Sequence, residues 1–449
     1  MIAPGVWPAR LAAVRQHPLA TIIVCAVALR LALSPLTANL PNGLTDEGFW
    51  KHWMQAIDRN GILNIFRTTD TDYVGYHWVL WALTWVYRAL GGSSYSNADP
   101  LLHILVKLPS IAFDVLLMLV VHWSTTVLLE RAGVDRGRVR TGALAAAAVI
   151  AFQPAVLYDG AIWAQTDSAI TAAMLSALVL ASLNRPFASA AAWALGLMVK
   201  PHPIIIAPMV LLLIWRTGGP RALVRAGTGL AVVTVIVLGP WIFHGDLPRI
   251  VDVYVELFTK ERERLSELAW NAWWIFDQRG DPRPANEIWD LPITFKQAAL
   301  GLSLLAGAMA STYAVLRPGL RPALVAAAYV AFAFHALPIG SHERYLYPFL
   351  GLLLPVAILE PRWRWLYTAV SITFFLNLFV VAPPLRRWMD RWVYEDFGVV
   401  VAGINVLLFL AFTLLLVGGL LVRPGRGSRC GGGRPRPSGD VRSRRKSRA

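Results

Sequence analysis

The chain has only two cysteines in 449 residues, Cys25 and Cys430. That is too few, and too widely spaced, for a disulfide framework or for the paired spacing of a thiolate metal site. Charge is scarce as well. Asp, Glu, Lys and Arg make up 15% of the residues, against about 25% in ordinary soluble domains, so the chain lacks the polar surface that water would demand. Three signature loops are also missing. There is no GKS or GKT loop to cradle ATP phosphates and no HExxH pair for zinc. There is no GxSxG elbow for serine hydrolysis either.

What the chain has in quantity is apolar sequence. It is 56% hydrophobic, with a mean hydropathy of +0.51. The apolar runs have the length that a hydrocarbon core about 30 Å thick asks of a helix. They do not alternate polar and apolar residues as the strands of a membrane barrel would. The expected fold class is therefore an all-α polytopic membrane protein. The first apolar run, HPLATIIVCAVALRLALSPLTA, is interrupted by Arg30 and lacks a convincing cleavage site, and it reads as an uncleaved first span.

The formal charge of +15 is placed unevenly. The last 27 residues, 423–449, hold ten Lys or Arg against one Asp, so nine of the fifteen excess charges sit there. Pro, Gly, Ser and Arg without apolar residues cannot build a core, and a disordered basic tail is expected. Beside a membrane such a tail marks the cytoplasmic side and can touch anionic lipid. No nucleic-acid partner is expected.

Lys and Arg concentrate in cytoplasmic loops. The short basic linkers RAGVDRGRVR (131–140), RTGGPRALVR (216–225), RPGLR (317–321) and PRWRW (361–365) should all share the side of the tail. That condition is met if YHWVLWALTWVYRALGG (76–92) lies along the interface instead of crossing. Its many Trp and Tyr suit the headgroup layer. The expectation is then about twelve spans in a single domain, 1–422, with both termini cytoplasmic. The spans fall near 18–36, 102–129, 141–158, 168–183, 188–199, 203–216, 224–243, 293–316, 322–338, 346–359, 365–383 and 398–422. Two large loops, 37–101 and 244–291, face outward together with the turns DGAIWAQTDS, VKPHP and GSHERYLYP and the segment APPLRRWMDRWVYEDFG.

The polar chemistry collects in those outward segments. In TDEGFWKHWMQAIDRNG, Thr45 or Asp46 can cap a short amphipathic helix whose Phe49, Trp50, Trp53 and Ile57 share a face, and Glu47 can complement its dipole. A carboxylate between membrane and water can also act as a general base. Gln165 and Asp167 stand at the outer end of the third span, where Asp167 can simply cap the next helix. Lys200 and His202 sit at the tip of a short hairpin, where a lysine can snorkel. His342, Glu343 and Arg344 open another span, and an ion pair between Glu343 and Arg344 is the plain structural reading; three ionisable groups there are nevertheless costly unless partnered or functional. KERERLSE (260–267) reads as a solvated helix face, whereas exposed tryptophans in WNAWW (270–274) suit sugar stacking or lipid contact. Deeper in the membrane, Asp114 should meet Arg30 in a structural pair.

The order of these motifs resembles the GT-C superfamily of integral-membrane glycosyltransferases and is similar to bacterial relatives of GPI mannosyltransferase II. The carriers are Asp46 in TDEGFW, a DYPPGY-like DYVGYHW at Asp72 to Tyr76, and a WGQxDS-like WAQTDS at 163–168. Lys200 at the end of a short span, an NxWW-like Asn271 to Trp274, and an intact HERYLYP at His342 to Pro348 complete the set. The two prolines of the DYPPGY pattern are Val74 and Gly75 here, and the glycine of WGQ is Ala164.

The resemblance implies transfer of one sugar, leaning to mannose, from a polyprenyl-phosphate carrier to an acceptor hydroxyl of a glycolipid, glycan or protein. It places this on the outer face of the plasma membrane, with inversion. It implies Asp46 as base, with Glu47 and Asp167 in support. Lys200, His202, His342 and Arg344 would hold the donor phosphate. Gln165, Trp273, Trp274 and Glu343 would touch sugar or acceptor. No nucleotide cofactor is expected; a divalent metal is compatible with the chemistry, but no clear ligand set asks for one. The competing class is a transporter or flippase of lipid-linked sugars, which should show internal repeats and interrupted spans at matching positions. No such repeat is visible.

Overall fold

The computed structural model describes residues 16–37, 46–259, 264–277, 283–289, 291–381 and 395–421. The basic tail with Cys430, Thr45, 260–263 and 382–394 lie outside the described residues. The helices, in chain order, are α1 (Pro18–Leu33), α2 (Glu47–Asn60), α3 (His77–Ala89), α4 (Pro100–Arg131), α5 (Arg136–Ala151), α6 (Asp167–Ser182) and α7 (Pro186–Val199). After them come α8 (Ala207–Phe243), α9 (Leu247–Thr259), α10 (Phe295–Leu316), α11 (Leu320–Ala336), α12 (Tyr347–Leu359), α13 (Arg364–Val381) and α14 (Asp396–Leu421). Among the described residues, six helices are long and apolar enough to cross a bilayer. They become seven when α5 and the bent Pro154–Ile162 segment after it count as one span. This is an all-α polytopic membrane architecture.

Helix starts follow local chemistry. Asp99 accepts the backbone N–H groups of Leu101 (2.9 Å) and Leu102 (3.2 Å), and Pro100 opens α4 where its missing N–H costs nothing. Asp135 caps α5 through Arg138 N at 3.0 Å. Thr294 and Gln297 form a reciprocal capping box at α10.

At about 1.5 Å per residue, α8 would run about 55 Å, far more than a bilayer core. It does not run straight: Gly219 has φ 63° and ψ −155°, followed by Pro220, so two helices meet at a break. The break falls between the expected spans 203–216 and 224–243. α3 has 13 residues, about 20 Å of helix, which is too short to cross. It turns Leu80, Thr84 and Tyr87 inward and leaves Trp81 and Trp85 exposed, as an interfacial helix would.

α12 is the centre of the bundle. Its side chains from Tyr347 to Ala357 are all buried, against α11, α6, α4 and α13. It is apolar all round because it is surrounded by protein. Four basic linkers are joined end to end at one end of the bundle. Arg131 donates to Ser182 O (2.7 Å), Thr217 to Ala181 O (3.2 Å), Arg216 to Ala314 O (3.1 Å) and Arg317 to Gly419 O, while Arg321 pairs with Glu360. Asp167 begins α6 and Ser182 ends it, so Asp167 lies at the end away from these linkers.

Three expectations are corrected. Phe49 is exposed and does not share the buried face of α2, which is instead Glu47, Trp50, Lys51, Trp53, Met54 and Ile57. The described part of KERERLSE is not a solvated helix. Leu265 and Ser266 are buried, and β1 (Ser266–Glu267) pairs in parallel with β2 (Ser341–His342), which lays the second loop against HERYLYP. The tryptophans of WNAWW are not exposed: Trp270, Trp273 and Trp274 are 0%, 5% and 4% accessible. They are held in because the bundle supplies partners for their loop. Asn377 receives Trp270 N (3.0 Å) and donates to Leu268 O (3.0 Å), Asn405 donates to Trp270 O (2.8 Å), and Asn271 donates to His335 O (3.1 Å).

The expected deep pair is present. Arg30 Nε lies 2.6 Å from Asp114 Oδ2, both fully buried, with Arg30 Nη1 donating to Ala151 O at 2.9 Å and Ser168 donating to Asp114 Oδ1. Removing one partner strands a buried charge. Asp114→Leu should therefore cost about 3–5 kcal/mol, read as a lower melting temperature of the detergent-solubilised protein. Arg30→Leu combined with Asp114→Leu should cost less than either single change.

Candidate functional site

At the end of the bundle away from the basic linkers, several segments deliver polar side chains to one place. α2 begins directly after Asp46, whose backbone carbonyl accepts Phe49 N (3.0 Å) and Trp50 N (3.2 Å) but whose side chain makes no capping bond. The capping role open to Asp46 in the sequence is therefore not the one it takes. Its carboxylate instead accepts the Gln165 amide N–H and lies 3.6 Å from Arg344 Nη2. Gln165 turns its carbonyl oxygen to Lys200 Nζ at 3.1 Å, and Lys200 also donates to both oxygens of Asp167 at 2.9 and 3.0 Å. Arg344 Nη1 donates to Glu343 Oε1 at 3.0 Å, and its guanidinium lies 5.6 Å from the Trp163 ring centroid. One continuous chain thus runs Asp167, Lys200, Gln165, Asp46, Arg344, Glu343. Asp46 and Lys200, far apart in sequence, meet through a single glutamine amide, which donates on one side and accepts on the other.

The local backbone explains how Gln165 reaches this place. After the break at Pro154 the chain makes a π-turn over Tyr158–Ile162, and Ala164 takes φ 65°. That left-handed conformation is costly for a residue with a Cβ. It falls where the resembled pattern has glycine. Trp50 Nε1 donates to Ala164 O (2.9 Å), pinning the turn to α2. Asp159 in the same turn is fully buried, and its carboxylate oxygens have no hydrogen-bond partner among the described residues.

Beside the chain lies a cavity of about 110 Å³ whose wall includes Tyr73, Lys200, His202, Phe334, Arg344 and Tyr345. Lys200 Nζ sits 5.1 Å from the Tyr73 ring centroid. Burial works against the charge on Lys200, but the Asp167 carboxylate beside it is the main opposing cause and the pKa is raised, so the ammonium persists. Burial, partly offset by Lys200 and Arg344, raises the Tyr73 phenol, so it stays protonated and can donate. The Tyr345 ring stacks on Phe334 (5.1 Å, 19°), with His202 edge-on at 4.5 Å and His342 tilted at 5.2 Å. His342 Nδ1 lies 3.9 Å from Glu343 Oε2. Asp46 and Arg344 keep 18% and 14% of their side chains accessible, while Asp167 and Lys200 keep 3% each. The first pair can meet a substrate; the second is mostly support.

Three sequence-selected residues lie elsewhere. Glu47 points away from Asp46 into a buried pocket of its own, bound by His103 and Lys51. Trp273 donates to Leu337 O at 2.6 Å and packs edge-on to Phe295 at 5.9 Å. Trp274 is buried with Trp270 against Val380, Val381, Val401 and Ala402. Neither ring is open for a sugar, because each is already covered by the bundle. Trp163 opens the WAQTDS motif, although no role of its own follows from the sequence; Phe334 and Asp159 carry no signal there, because their spacing is that of ordinary apolar or turn residues.

The model of glycosyltransferase family 87 matches residues 100–339, more than half of the chain. The matched region contains Gln165, Asp167, Lys200 and His202; Asp46 precedes it and His342 to Arg344 follow it. No curated protein matches the chain.

Because Ala164 occupies a glycine-type conformation, Ala164→Gly should stabilise the folded protein by up to about 1 kcal/mol, seen as a higher melting temperature. Trp273→Phe should instead lower stability by about 1–3 kcal/mol by leaving the Leu337 carbonyl unpaired.

Proposed function

The chain belongs to glycosyltransferase family 87, and from that premise we propose that it transfers a single sugar from a polyprenyl-phosphate donor to an acceptor hydroxyl at the outer face of the membrane, with inversion. The observation that carries the proposal is the chain of contacts from Asp167 through Lys200 and Gln165 to Asp46 and Arg344, beside a cavity with cationic and aromatic walls. With inversion the base and the phosphate-holding groups act on opposite faces of the anomeric carbon, so both must border the space that one substrate pair occupies.

In the proposed reaction Asp46 takes the proton of the acceptor hydroxyl. The freed oxygen forms a bond to the anomeric carbon while the bond from that carbon to the lipid phosphate oxygen breaks. The phosphate leaves with the electron pair, and positive charge builds transiently on the sugar. A lipid phosphate is a stable anion, so it asks for cations more than for an acid. Arg344 has five N–H groups and retains donors beyond its Glu343 and Asp46 contacts. The three N–H groups of Lys200 are met by Asp167 and Gln165. Lys200 therefore contributes charge and holds Gln165, and through it Asp46, in place. His202 and His342 add donors at the rim on either side of Tyr345, and Tyr73 adds a phenol.

Mannose is the sugar favoured by the likeness to bacterial relatives of GPI mannosyltransferase II. Twelve crossings are the proposed topology. The break at Gly219, the bent span of α5 with Pro154–Ile162, the three shorter apolar helices α6, α7 and α11, and the buried α12 together supply the six spans beyond the six long enough by themselves. The basic linkers gathered at the other end support placing that end, and both termini, in the cytoplasm.

The test is sugar transfer by purified protein from a panel of polyprenyl-phosphate sugars, scored as release of the lipid phosphate. Asp46→Asn keeps the side chain's shape and should lower transfer by about 10²–10⁴-fold without loss of folded protein. Transfer within about twofold of the parent would remove Asp46 as the base.

A further inference from the structure

The helix that begins after Asp46 is anchored by a second ionic network that the transfer step does not use. Glu47, the next residue, is buried and turned away from the cavity. Its Oε1 lies 2.5 Å from His103 Nδ1 and 2.6 Å from Lys51 Nζ, and its Oε2 lies 3.6 Å from Lys107 Nζ. His103 Nε2 faces Ser34 O at 2.9 Å. Lys107 also donates to Thr37 Oγ1 (2.6 Å) and to the carbonyls of Ala161 (2.9 Å) and Ile162 (2.8 Å). The same lysine therefore reaches both the first turn of α2 and the turn that delivers Gln165. Asp46 and Gln165 are the two ends of the bond that this arrangement sets.

A carbonyl oxygen only accepts, so His103 Nε2 carries a hydrogen towards Ser34 O while Nδ1 faces the Glu47 carboxylate. Burial would raise the Glu47 pKa, but the His103 hydrogen bond and the Lys107 and Lys51 charges outweigh it and the pKa is lowered.

We propose that Glu47, His103 and Lys107 are positioning residues that set where Asp46 presents its carboxylate to the acceptor. This rests on the assignment of Asp46 as the base. None of the three touches substrate. They act by holding the first turn of α2 against α4 and the 161–165 turn, with Trp50 as the apolar part of the same anchor. The sequence pairing of Asp46 with Glu47 is then a division of labour: one carboxylate joins Gln165 and Arg344 beside the cavity and its neighbour fixes the helix.

The test compares full-length protein carrying His103→Leu, His103→Gln and Glu47→Gln with the parent and with Asp46→Asn, using a polyprenyl-phosphate sugar and its acceptor. Donor-binding stoichiometry in each sample reports the folded fraction. A misplacement of about 1 Å costs about a hundredfold, so kcat per folded molecule should fall by about that much in His103→Leu. The donor KM should stay within about twofold, because the phosphate-holding groups sit on other segments. His103→Gln, whose amide can still donate to Glu47, should recover at least about tenfold of the loss. If His103→Leu does not fold, Glu47→Gln carries the test, with the same fall in kcat at constant KM. Values of kcat within about threefold of the parent for the folded variants, or a loss that tracks the folded fraction alone, would overturn the positioning role. An active Asp46→Asn would instead remove the base assignment on which it rests.

Discussion

Gln165 holds the site together. Its amide accepts from an ammonium through the oxygen and donates to a carboxylate through the nitrogen, linking Lys200 to Asp46. Without it, the carboxylate that starts α2 and the ion pair at the foot of α6 would be separate features. Because Asp167 and Lys200 are almost wholly buried, neither tolerates loss of its partner. The bundle must therefore keep α6, α7 and the first loop in register.

Two further sets of buried charge lie behind this one. Arg30 and Asp114 join α1 to α4, and Ser168 and Tyr347 extend that pair towards α12. Gly160 passes so close to Asp114 that a Cβ there would lie 2.5 Å from Oδ2. The Glu47, His103 and Lys107 network joins α2 to α4 and to the same third-span turn. Three ionic clusters therefore converge on one irregular segment, 154–165, where the helix is interrupted and a non-glycine residue is left-handed. Irregular backbone at such a depth is tolerated where protein surrounds it, and strain of this kind is characteristic of functional turns.

The second large loop does different work from the first. Its tryptophans are packed inward and its backbone is bound by Asn271, Asn377 and Asn405. Two residues of it pair with the strand that opens HERYLYP. The loop thus braces His342 to Tyr345 from behind. Gly398 marks how tight that packing is: a Cβ there would lie 2.7 Å from the indole nitrogens of both Trp270 and Trp274. The aromatic wall of the cavity comes instead from Tyr73, Phe334 and Tyr345.

Composition and periodicity by themselves determined the membrane class, the gathering of the basic linkers and the Arg30–Asp114 pair. Each of these follows from what a residue type costs in lipid or at an interface, and that cost is written in the chain. The ordered motifs also named Asp46, Gln165, Asp167, Lys200, Glu343 and Arg344, all of which meet in the fold. What only the tertiary structure decided is which partner each polar group found. Asp46 and Glu47 are adjacent and alike in sequence, yet one meets Gln165 and Arg344 and the other a buried histidine, because a helix turns successive side chains by about 100°. WNAWW reads the same whether solvent or the packed bundle with Asn377 and Asn405 surrounds it. Partner choice depends on contacts between residues far apart in the chain, and no local pattern records those.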